Sequence, residues 1–408
     1  MNYNNITKCR LCKSSDLQHL FSLGSMALTG IFPPIADDDL DQGPTDLLRC
    51  NECDLVQLSQ TYDLAEMYGD SYGYRSGLNQ SMVKHLQGNV SYAESFVDLK
   101  DGDAVLDIGS NDGTSLNCLA GRGLSLIGMD PSAEKFKQYY NEEIDLAVDF
   151  FNKKNYLNHN GDKKPKLITT FSMFYDLEDP YSFAEDVFHI LHDEGIWMLE
   201  QSYLPTMIES NSFDTICQEH LEYYSFRQIE WLANRIGFSV LDMRQNDVNG
   251  GSFQVVLSKK PSKKESISIR GAKEFETGFF SNPLIYDQFY MRINKLGSEI
   301  RQLLIDLKSE NKKVYGLGAS TKGNVLLQYF RIDSNLLAKI GEVNPNKYGC
   351  KTPGSNIPIV SEDLMLDEEP DFLFILPWHF KSFFLEAEKF KRFKLILPLP
   401  SLEVINER

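Results

Sequence analysis

The stretch that decides the fold is "AVLDIGSNDGTSLNCLA", residues 104–120. It is typical of a short apolar strand, a turn framed by Gly109 and Gly113, and the first turn of a helix. Further along, "LSLIGMDPS" (124–132) is a second strand that ends in Asp130. More apolar segments follow, with helical stretches between several of them. This alternation predicts an α/β fold with a doubly wound, Rossmann-like parallel sheet and a ligand crevice at the carboxyl ends of its strands.

The turn after the first strand differs from a dinucleotide fingerprint. GxGxxG needs three glycines, and here Asn111 stands where a glycine would let a pyrophosphate approach the backbone, which disfavours a nicotinamide-dependent oxidoreductase or epimerase. Asp107 is unfavourable beside a pyrophosphate but suits a sulfonium or an amino group. Asp130 is placed to accept hydrogen bonds from ribose hydroxyls. The pattern predicts that Asp107, Gly109, Asn111, Gly113 and Asp130 bind S-adenosylmethionine; the alternative is a glycine turn in an ordinary α/β protein.

Four of the seven cysteines form two close pairs, Cys9 and Cys12 in "CRLC" and Cys50 and Cys53 in "CNEC". Two CxxC turns can bring four sulfurs into a tetrahedron, so this spacing is typical of a zinc site. The alternatives are disulfides, which an intracellular chain disfavours, and chance. Four protein ligands leave no position for water. We therefore expect a structural zinc ion in a loop-rich N-terminal module.

The length of 408 residues is too great for one hydrophobic core, and we expect domains over residues 1–70, 71–260 and 261–408. The first holds zinc, the second S-adenosylmethionine, and the third is a separate α/β unit that begins near "KVYGLGASTKGNVLLQYF" (313–330). A net charge of −17 disfavours nucleic acids and anionic membranes as partners but allows a small anionic ligand. No apolar run reaches the length of a membrane helix, and the first residues lack a signal-peptide core, so a cytoplasmic location is expected.

A set of motifs runs along nearly the whole chain in a fixed order. They are "CRLC", "CNEC", "YGYRSGLNQSM" (72–82), "LDIGSNDG" (106–113), "EHLEYYS" (219–225), "NGGS" (249–252), "YGLGASTKGNVLL" (315–327), "VNPNKYGCKTPGSNIPI" (343–359) and "LPWHF" (376–380). The set resembles that of the sugar C-methyltransferases, which add a branch methyl, at C-3, to nucleotide-linked 4-keto deoxysugars. The resemblance implies removal of a proton next to the ketone by a base, followed by attack of the carbanion on the methyl group of S-adenosylmethionine.

The resemblance also implies roles for individual residues. His220 corresponds to the base, and Glu219 beside it would orient the imidazole or hold its protonated form. A tyrosine that donates to the developing enolate oxygen corresponds to Tyr72 or Tyr74, with Tyr74 preferred. Tyr224 is a candidate for lining the acceptor pocket, with packing as the alternative.

Two departures from the family pattern concern the acceptor side. Cys217 and Gln218 stand where the family has a tyrosine and a histidine. A second histidine, expected after the fourth strand, is replaced within "FSMFYDLEDP" (171–180), where Asp176 or Tyr175 is nearest. We interpret this as a different sugar or a different carbon; methylation of oxygen or nitrogen and a non-catalytic binding subunit are the alternatives.

The C-terminal unit contains two candidate contacts to the substrate. Lys322 lies in the first turn of a predicted helix, where an anion binds favourably, and Lys347 lies in "NPNKYG". The functional interpretation, favoured by the resemblance, is a cradle for the nucleotide diphosphate; the alternative is a scaffold whose glycines serve only the turn. A monomer is expected, although the sequence does not bear on oligomeric state.

Overall fold

The structure is a computed structural model of the chain, and it describes residues 2–63, 75–262 and 265–406. The strands within these ranges form four sheets of two, four, six and seven strands. Among the helices described, none is both long and apolar enough to cross a bilayer.

The N-terminal module is built from antiparallel strands. A long hairpin joins β2 (Leu17–Ala27) to β3 (Gln42–Cys50), and β4 (Val56–Leu58) pairs with β3. Separately, β1 (Tyr3–Asn5) pairs with β5 (Gln60–Tyr62). Loops make up more than half of the module, as predicted, and the strands pack one face inward because buried side chains recur at nearly every second position of β3.

The central sheet has seven strands in the order β12-β13-β10-β9-β6-β7-β8. They are β6 (Ala104–Ile108), β7 (Ser125–Met129), β8 (Ile144–Ala147), β9 (Leu167–Phe171), β10 (Ile196–Ser202), β12 (Ser239–Asn246) and β13 (Ser252–Ser258). From β10 to β8 the neighbours are parallel, as predicted. The exception is β13, which is antiparallel to both neighbours because its turn from β12 is too short for a crossover.

Helices cover both faces of the central sheet, which confirms the doubly wound arrangement. They are α1 (Gln80–Glu94), α2 (Thr114–Asn117), α3 (Lys153–Asn160), α4 (Pro180–Ile190), α5 (Leu204–Glu209), α6 (Phe226–Ile236) and α7 (Ile267–Phe279). Val90 and Ala93 of α1 pack with Met198 on one face. On the other face, apolar side chains of α4, α6 and α7 pack with Trp197 and Leu199.

The C-terminal domain contains the second α/β unit that the sequence predicts. Its sheet has the order β16-β15-β14-β17-β18-β19, with only β19 antiparallel among these strands. The strands are β14 (Val314–Leu317), β15 (Ile340–Glu342), β16 (Ile359–Ser361), β17 (Phe372–Ile375), β18 (Lys394–Leu397) and β19 (Glu403–Ile405). The helices are α8 (Ile285–Ser309), α9 (Thr321–Tyr329), α10 (Glu362–Leu366) and α11 (Lys381–Glu386).

One strand crosses between the parts of the chain. β11 (Glu222–Tyr223), which follows the central strand β10 in sequence, pairs with β4 and forms the edge of the N-terminal sheet. A single apolar cluster also runs through all three parts; it includes Phe21 of β2, Phe213 of the central domain and Phe289 of α8. The other strands fall within the three expected segments, and the boundaries themselves stay a prediction.

Candidate active site

The glycine turn after β6 lies at the carboxyl edge of the central sheet. Gly109 and Gly113 both have a φ of 74°, a left-handed conformation that favours glycine. A Cβ atom on Gly109 would lie 2.9 Å from Cγ of Met173, and one on Gly113 would lie 2.7 Å from the ring of Tyr140. The turn therefore needs glycine at both positions for its backbone and for the close packing beneath it.

Two aspartates extend from the same edge of the sheet. Asp107 accepts a hydrogen bond from Oγ1 of Thr169 at 2.6 Å, and burial raises the pKa of Asp107 to about 7. Asp130 accepts from the backbone N–H of Asn111 at 2.9 Å on one oxygen and from Ser132 on the other. Within the described residues these bonds use three of about four lone-pair sites on the Asp130 carboxylate, and the fourth site suits a ligand that donates.

The turn also contains a third carboxylate that the sequence argument missed. Asp112 is buried, lies 3.6 Å from Nε of Arg75 and accepts a bond from the backbone of Gly77 at 2.8 Å. The backbone N–H of Ser76, the residue before Gly77, donates to Oδ1 of Asn111 at 3.0 Å. The short segment from Arg75 to Gly77 therefore docks on the turn.

The donor set fits a cation. Three buried carboxylates, Asp107, Asp112 and Asp130, meet at this edge, and the structure brings together all five residues predicted to bind the cofactor. Carboxylates would oppose a pyrophosphate and favour a sulfonium or an ammonium group. The chemistry of the crevice is thus suited to S-adenosylmethionine, and the individual contacts stay a prediction.

The four predicted zinc ligands converge. The Sγ atoms of Cys9, Cys12, Cys50 and Cys53 all lie within 4.8 Å of one another, with 3.6 Å from Cys9 to Cys53 and 3.4 Å from Cys12 to Cys50. All four cysteines are free, which argues against the disulfide alternative. Tetrahedral zinc with thiolate bonds of about 2.3 Å requires sulfurs ~3.8 Å apart, close to these separations. The site fits a closed, structural zinc ion.

His220 lies in the loop between residues 213–215 and β11. Its Nδ1–H donates to the carbonyl of Thr215 at 2.7 Å, and Nε2 has no hydrogen bond within the described ranges. Burial, aided by the ammonium of Lys322, lowers the pKa of His220 to about 4. The imidazole is therefore neutral at pH 7, with a lone pair on Nε2, which is the form that a general base requires.

Glu219 does not contact the imidazole in the way predicted. Its Oε2 accepts a bond from Oγ1 of Thr29 at 3.2 Å, and its Oε1 lies 2.8 Å from the position of a Cβ on Gly30. The imidazole of His220 is oriented by its hydrogen bond to the carbonyl of Thr215 and not, as predicted, by Glu219. Whether Glu219 holds the protonated imidazole stays a prediction.

The residues predicted for the acceptor side have different outcomes. Tyr72 and Tyr74 lie outside the described residues. Tyr224 is fully buried and packs with its ring centroid 5.5 Å from that of Phe174, which is the packing alternative, and its pocket-lining role stays a prediction.

Residues 174–176 lie beside the base. The backbone N–H of Leu221 donates to the carbonyl of Tyr175 at 2.8 Å, and the Tyr175 ring centroid is 4.4 Å from that of His220. The carboxylate of Asp176 is close enough to contribute to the raised pKa values of Cys217 and Glu222, after burial as the main cause. Of the two residues considered nearest to the missing histidine, Tyr175 places its ring against that of His220.

Both lysines predicted to bind substrate meet the glycine turn region of the C-terminal domain. Lys322 donates to the carbonyl of Asn249 in "NGGS", and burial lowers its pKa. Lys347 donates to the carbonyl of Ala319 at 2.7 Å and lies 4.2 Å from the ring centroid of Phe32. Lys322 is thus close to the base, while Lys347 lies against the N-terminal module.

The C-terminal domain also fixes the loop that carries the base, through residues that the sequence argument did not assign. The indole N–H of Trp378 donates to the buried carboxylate of Asp214 at 2.7 Å. Asp214 directly precedes Thr215, whose carbonyl orients His220. Trp378 lies in the "LPWHF" motif, and that motif was the only sequence feature that pointed to this residue. Its partner Asp214, 164 positions away, could not be deduced from the sequence.

Three family models match the chain in succession. A model described as "Putative zinc binding domain" matches residues 9–68, "Methyltransferase domain" matches 84–242, and "C-methyltransferase C-terminal domain" matches 247–400. The chain is 26% identical to the C-methyltransferase NovU of Streptomyces niveus over 416 aligned residues, which cover 98% of this chain and 97% of NovU.

Solved structures resemble the chain only distantly. The plantazolicin methyltransferase BpumL, in complex with SAH, is 13% identical, covers 44% of this chain and 86% of its own, and has a TM-score of 0.36. The cyclopropane synthase MmaA2 of Mycobacterium tuberculosis is 11% identical, covers 46% and 90%, and has a TM-score of 0.35. At these TM-scores the two structures say nothing about function.

The domain matches and the full-length relative agree with the geometry described above. The glycine turn with its carboxylates lies in the methyltransferase match, and the four cysteines lie in or beside the zinc-binding match. The chain is an S-adenosylmethionine-dependent methyltransferase that matches, in order, a zinc-binding domain, a methyltransferase domain and a C-methyltransferase C-terminal domain, and it is similar over its full length to a C-methyltransferase.

Proposed function

We propose that the protein methylates a carbon next to the ketone of a nucleotide-linked 4-keto deoxysugar. The observation that carries the proposal is the state of His220, a neutral imidazole with Nδ1 bonded to Thr215 and Nε2 unbonded within the described ranges. A C–H group next to a ketone is acidic enough to be deprotonated by a positioned imidazole, and the resulting enolate carbon is a nucleophile.

When bound, S-adenosylmethionine supplies an electrophilic methyl group on a sulfonium. Asp107, Asn111 and Asp130 are the residues we assign to holding it, with the remaining acceptor site of Asp130 directed to a ribose hydroxyl. The carboxylates favour the positive charge of the cofactor, which disappears when the methyl group leaves. The crevice therefore favours the charged cofactor over its neutral thioether product.

His220 accepts the proton at Nε2. As the C–H bond breaks, its electron pair forms the enolate, and negative charge develops on the ketone oxygen. A base whose pKa is about 4 is in the correct form at pH 7 but has a low proton affinity, so the enolate must be stabilised by its surroundings. The ammonium of Lys322 is a positive charge close to His220 and can provide this stabilisation, together with the predicted hydroxyl of Tyr74.

The nucleotide diphosphate is assigned to the junction between the N-terminal module and the C-terminal domain. Lys347 lies there against Ala319 and Phe32, and the N-terminus of α9 begins nearby at Thr321. A helix N-terminus and a lysine together favour an anion. In this orientation the sugar ring extends past Lys322 towards His220. A cytoplasmic location and a monomeric enzyme belong to the same proposal.

The test is mass spectrometry in heavy water on a panel of nucleotide-linked 4-keto sugars. The wild-type enzyme should add the mass of one methyl group when S-adenosylmethionine is present, and should exchange deuterium at the adjacent carbon when it is absent. His220→Asn should lose both activities and keep its affinity for S-adenosylhomocysteine. Methyl addition without exchange by the wild type would instead indicate an oxygen or nitrogen acceptor, and neither signal across the panel would favour a binding subunit.

A further inference from the structure

A buried pair of ionisable side chains that the proposed reaction does not use lies at the edge of the same crevice. Nε2 of His85, on α1, is 2.6 Å from Oε1 of Glu200 on β10, and the two side chains are 14% and 3% exposed. A ring nitrogen this close to a carboxylate oxygen requires a proton between them. Nε2 therefore shares a hydrogen with Oε1 of Glu200, and Nδ2 of Asn89 lies 3.1 Å from the same ring nitrogen.

The pair is held from all sides by amides. The second oxygen of Glu200 accepts bonds from Nδ2 of Asn246, at 2.9 Å, and from Nε2 of Gln254. Gln254 also donates to Asn89 at 2.6 Å, and Asn89 lies one helical turn after His85 on α1. These contacts leave Glu200 little freedom to rotate, so the imidazole that it holds has one orientation.

The other ring nitrogen of His85 remains available. Nδ1 has no hydrogen bond to any part of the chain that the structure describes, and it is not among the buried polar atoms that lack a partner. In the neutral imidazole, a hydrogen on Nε2 leaves a lone pair on Nδ1, which then accepts a hydrogen bond. An imidazole whose far nitrogen is fixed by a carboxylate is a common device for presenting the near nitrogen to a ligand.

The position of the pair relates it to the base. Glu200 is level with Phe171, the last residue of β9, and its carbonyl accepts the N–H of Ser172 at 2.8 Å. Residues 172–176 then continue to Tyr175, which contacts His220. His85 and His220 are thus both attached at the carboxyl ends of β9 and β10, His85 through the α1 face of the sheet and His220 through residues beyond β9.

The pair is also connected to Lys322. The side chain of Asn246 donates to Glu200 and accepts a hydrogen bond from the backbone N–H of Val248 at 3.0 Å. The backbone carbonyl of the next residue, Asn249, accepts a hydrogen bond from the ammonium of Lys322. Two side chains with opposite ligand preferences therefore border the crevice. The ammonium of Lys322 favours an anion or a developing oxyanion, and the lone pair of His85 favours a hydrogen-bond donor.

We propose that His85, positioned by Glu200, is a substrate-binding residue whose Nδ1 accepts a hydrogen bond from a hydroxyl or ammonium group of the acceptor sugar. The inference rests on the proposed function for the class of acceptor. A sugar held by Lys322 at its ketone and by His85 at a donor group can bind in only one orientation, because exchanging the two groups would place a donor against the ammonium. His85 thus selects acceptors that carry a donor beside the reacting carbon.

Two substitutions separate this role from a purely structural one. In His85→Gln the side-chain amide can still donate to Glu200 in place of Nε2, but it offers no acceptor in place of Nδ1. In His85→Asn the amide can replace Nδ1 but is too short to reach Glu200. His189→Gln, at an exposed histidine of α4, is the control.

We expect His85→Gln to raise the KM for the nucleotide-sugar about tenfold or more, while its melting temperature and affinity for S-adenosylhomocysteine match those of the control. A substrate analogue without the donor group should show the same KM with the wild type and His85→Gln. If His85→Gln has the wild-type KM and only His85→Asn is impaired, with a lower melting temperature, the pair is structural and the inference is wrong. A wild-type enzyme that neither binds nor methylates any sugar of the panel would instead overturn the proposed function and this inference with it.

Discussion

Nε of Arg10 lies 3.9 Å from Oε1 of Glu222, and both side chains are buried. Arg10 stands between Cys9 and Cys12 of the zinc site, while Glu222 is two residues after His220, the proposed base. The zinc site and the catalytic loop are therefore in direct contact. The guanidinium also donates to the carbonyl groups of Leu58 in β4 and Gln60 in β5. These bonds attach the first CxxC turn to the strands of the N-terminal module.

This contact predicts a large effect of Arg10→Met. The substitution removes several hydrogen bonds to buried carbonyl groups and the only cation that contacts Glu222 among the described residues. We expect the free energy of unfolding to fall by about 3–5 kcal/mol, measured by denaturant titration. The double variant Arg10→Met/Glu222→Leu should recover part of the loss, since it removes the buried carboxyl as well. Equal stabilities of the single variant and the wild type would show that the contact does not stabilise the fold.

Loss of zinc should unfold the N-terminal module. We expect one zinc per chain by atomic absorption, and Cys50→Ser should lose the metal and most of the soluble protein. The apolar cluster that joins the three parts of the chain explains why the damage would spread beyond the module. Cys118→Ser, at an exposed free cysteine, is the control and should behave as the wild type. A soluble, active and metal-free Cys50→Ser enzyme would contradict the zinc assignment.

The pH dependence of turnover should report His220. Because burial lowers its pKa from the usual 6.5 to about 4, the imidazole stays neutral well below neutral pH, and the acidic limb of kcat/KM should lie near pH 4. Lys322→Gln removes a positive charge that favours the neutral ring, so this limb should move to higher pH. The stability that depends on neutral His220 should be present above pH 6.5 and decline as the pH falls towards 4. An acidic limb at the same pH in Lys322→Gln and the wild type would show that the charge of Lys322 does not affect the pKa of His220.

Cofactor affinity should rise with pH through the titration of Asp107. Burial raises the pKa of this carboxyl to about 7, so it is partly protonated at neutral pH and favours a cation less than it would when ionised. By calorimetry, S-adenosylmethionine should bind more tightly at pH 8 than at pH 6, and Asp107→Asn should bind weakly with no such difference. The same group should make the folded state less stable as the pH rises from 3.8 to 7.

Asp130→Ala tests the second carboxylate independently. Its loss removes the proposed ribose contact and the bond that holds the backbone of Asn111. We expect the affinity for S-adenosylhomocysteine to fall about tenfold to hundredfold, measured by calorimetry at constant pH. An unaltered affinity would move the ribose contact to another residue.

The features that the sequence predicted are those whose residues are close together in the chain. The glycine turn needs Gly109, Gly113 and the end of one strand, and the zinc site needs two CxxC pairs, so local spacing was sufficient. Even here the residue pattern missed β8, a strand of only four residues whose apolar run is interrupted by Asp145. The hairpin of β2 and β3 was missed because its two strands are separated by a long connection that includes "GIFPP".

The contacts that the sequence could not predict join distant residues. His85 and Glu200 are 115 positions apart, and Trp378 and Asp214 are 164 apart. Tyr223 and Tyr224 show a different limit, because adjacent strand residues point to opposite sides. Both rings are buried: Tyr223 lies in one apolar cluster with its hydroxyl donating to the carbonyl of His220, and Tyr224 lies in another beside Phe174, and the register of β11 decides which cluster each ring joins.

That register has a practical consequence for protein engineering. Since β11 completes a sheet whose other strands come from the first 62 residues, the base is mounted on a frame shared by two parts of the chain. Transplanting residues 84–242 alone into another methyltransferase would carry the cofactor turn intact but leave the strand that follows His220, β11, without its neighbour β4. The smallest exchangeable unit for acceptor chemistry in this enzyme includes the zinc-binding module.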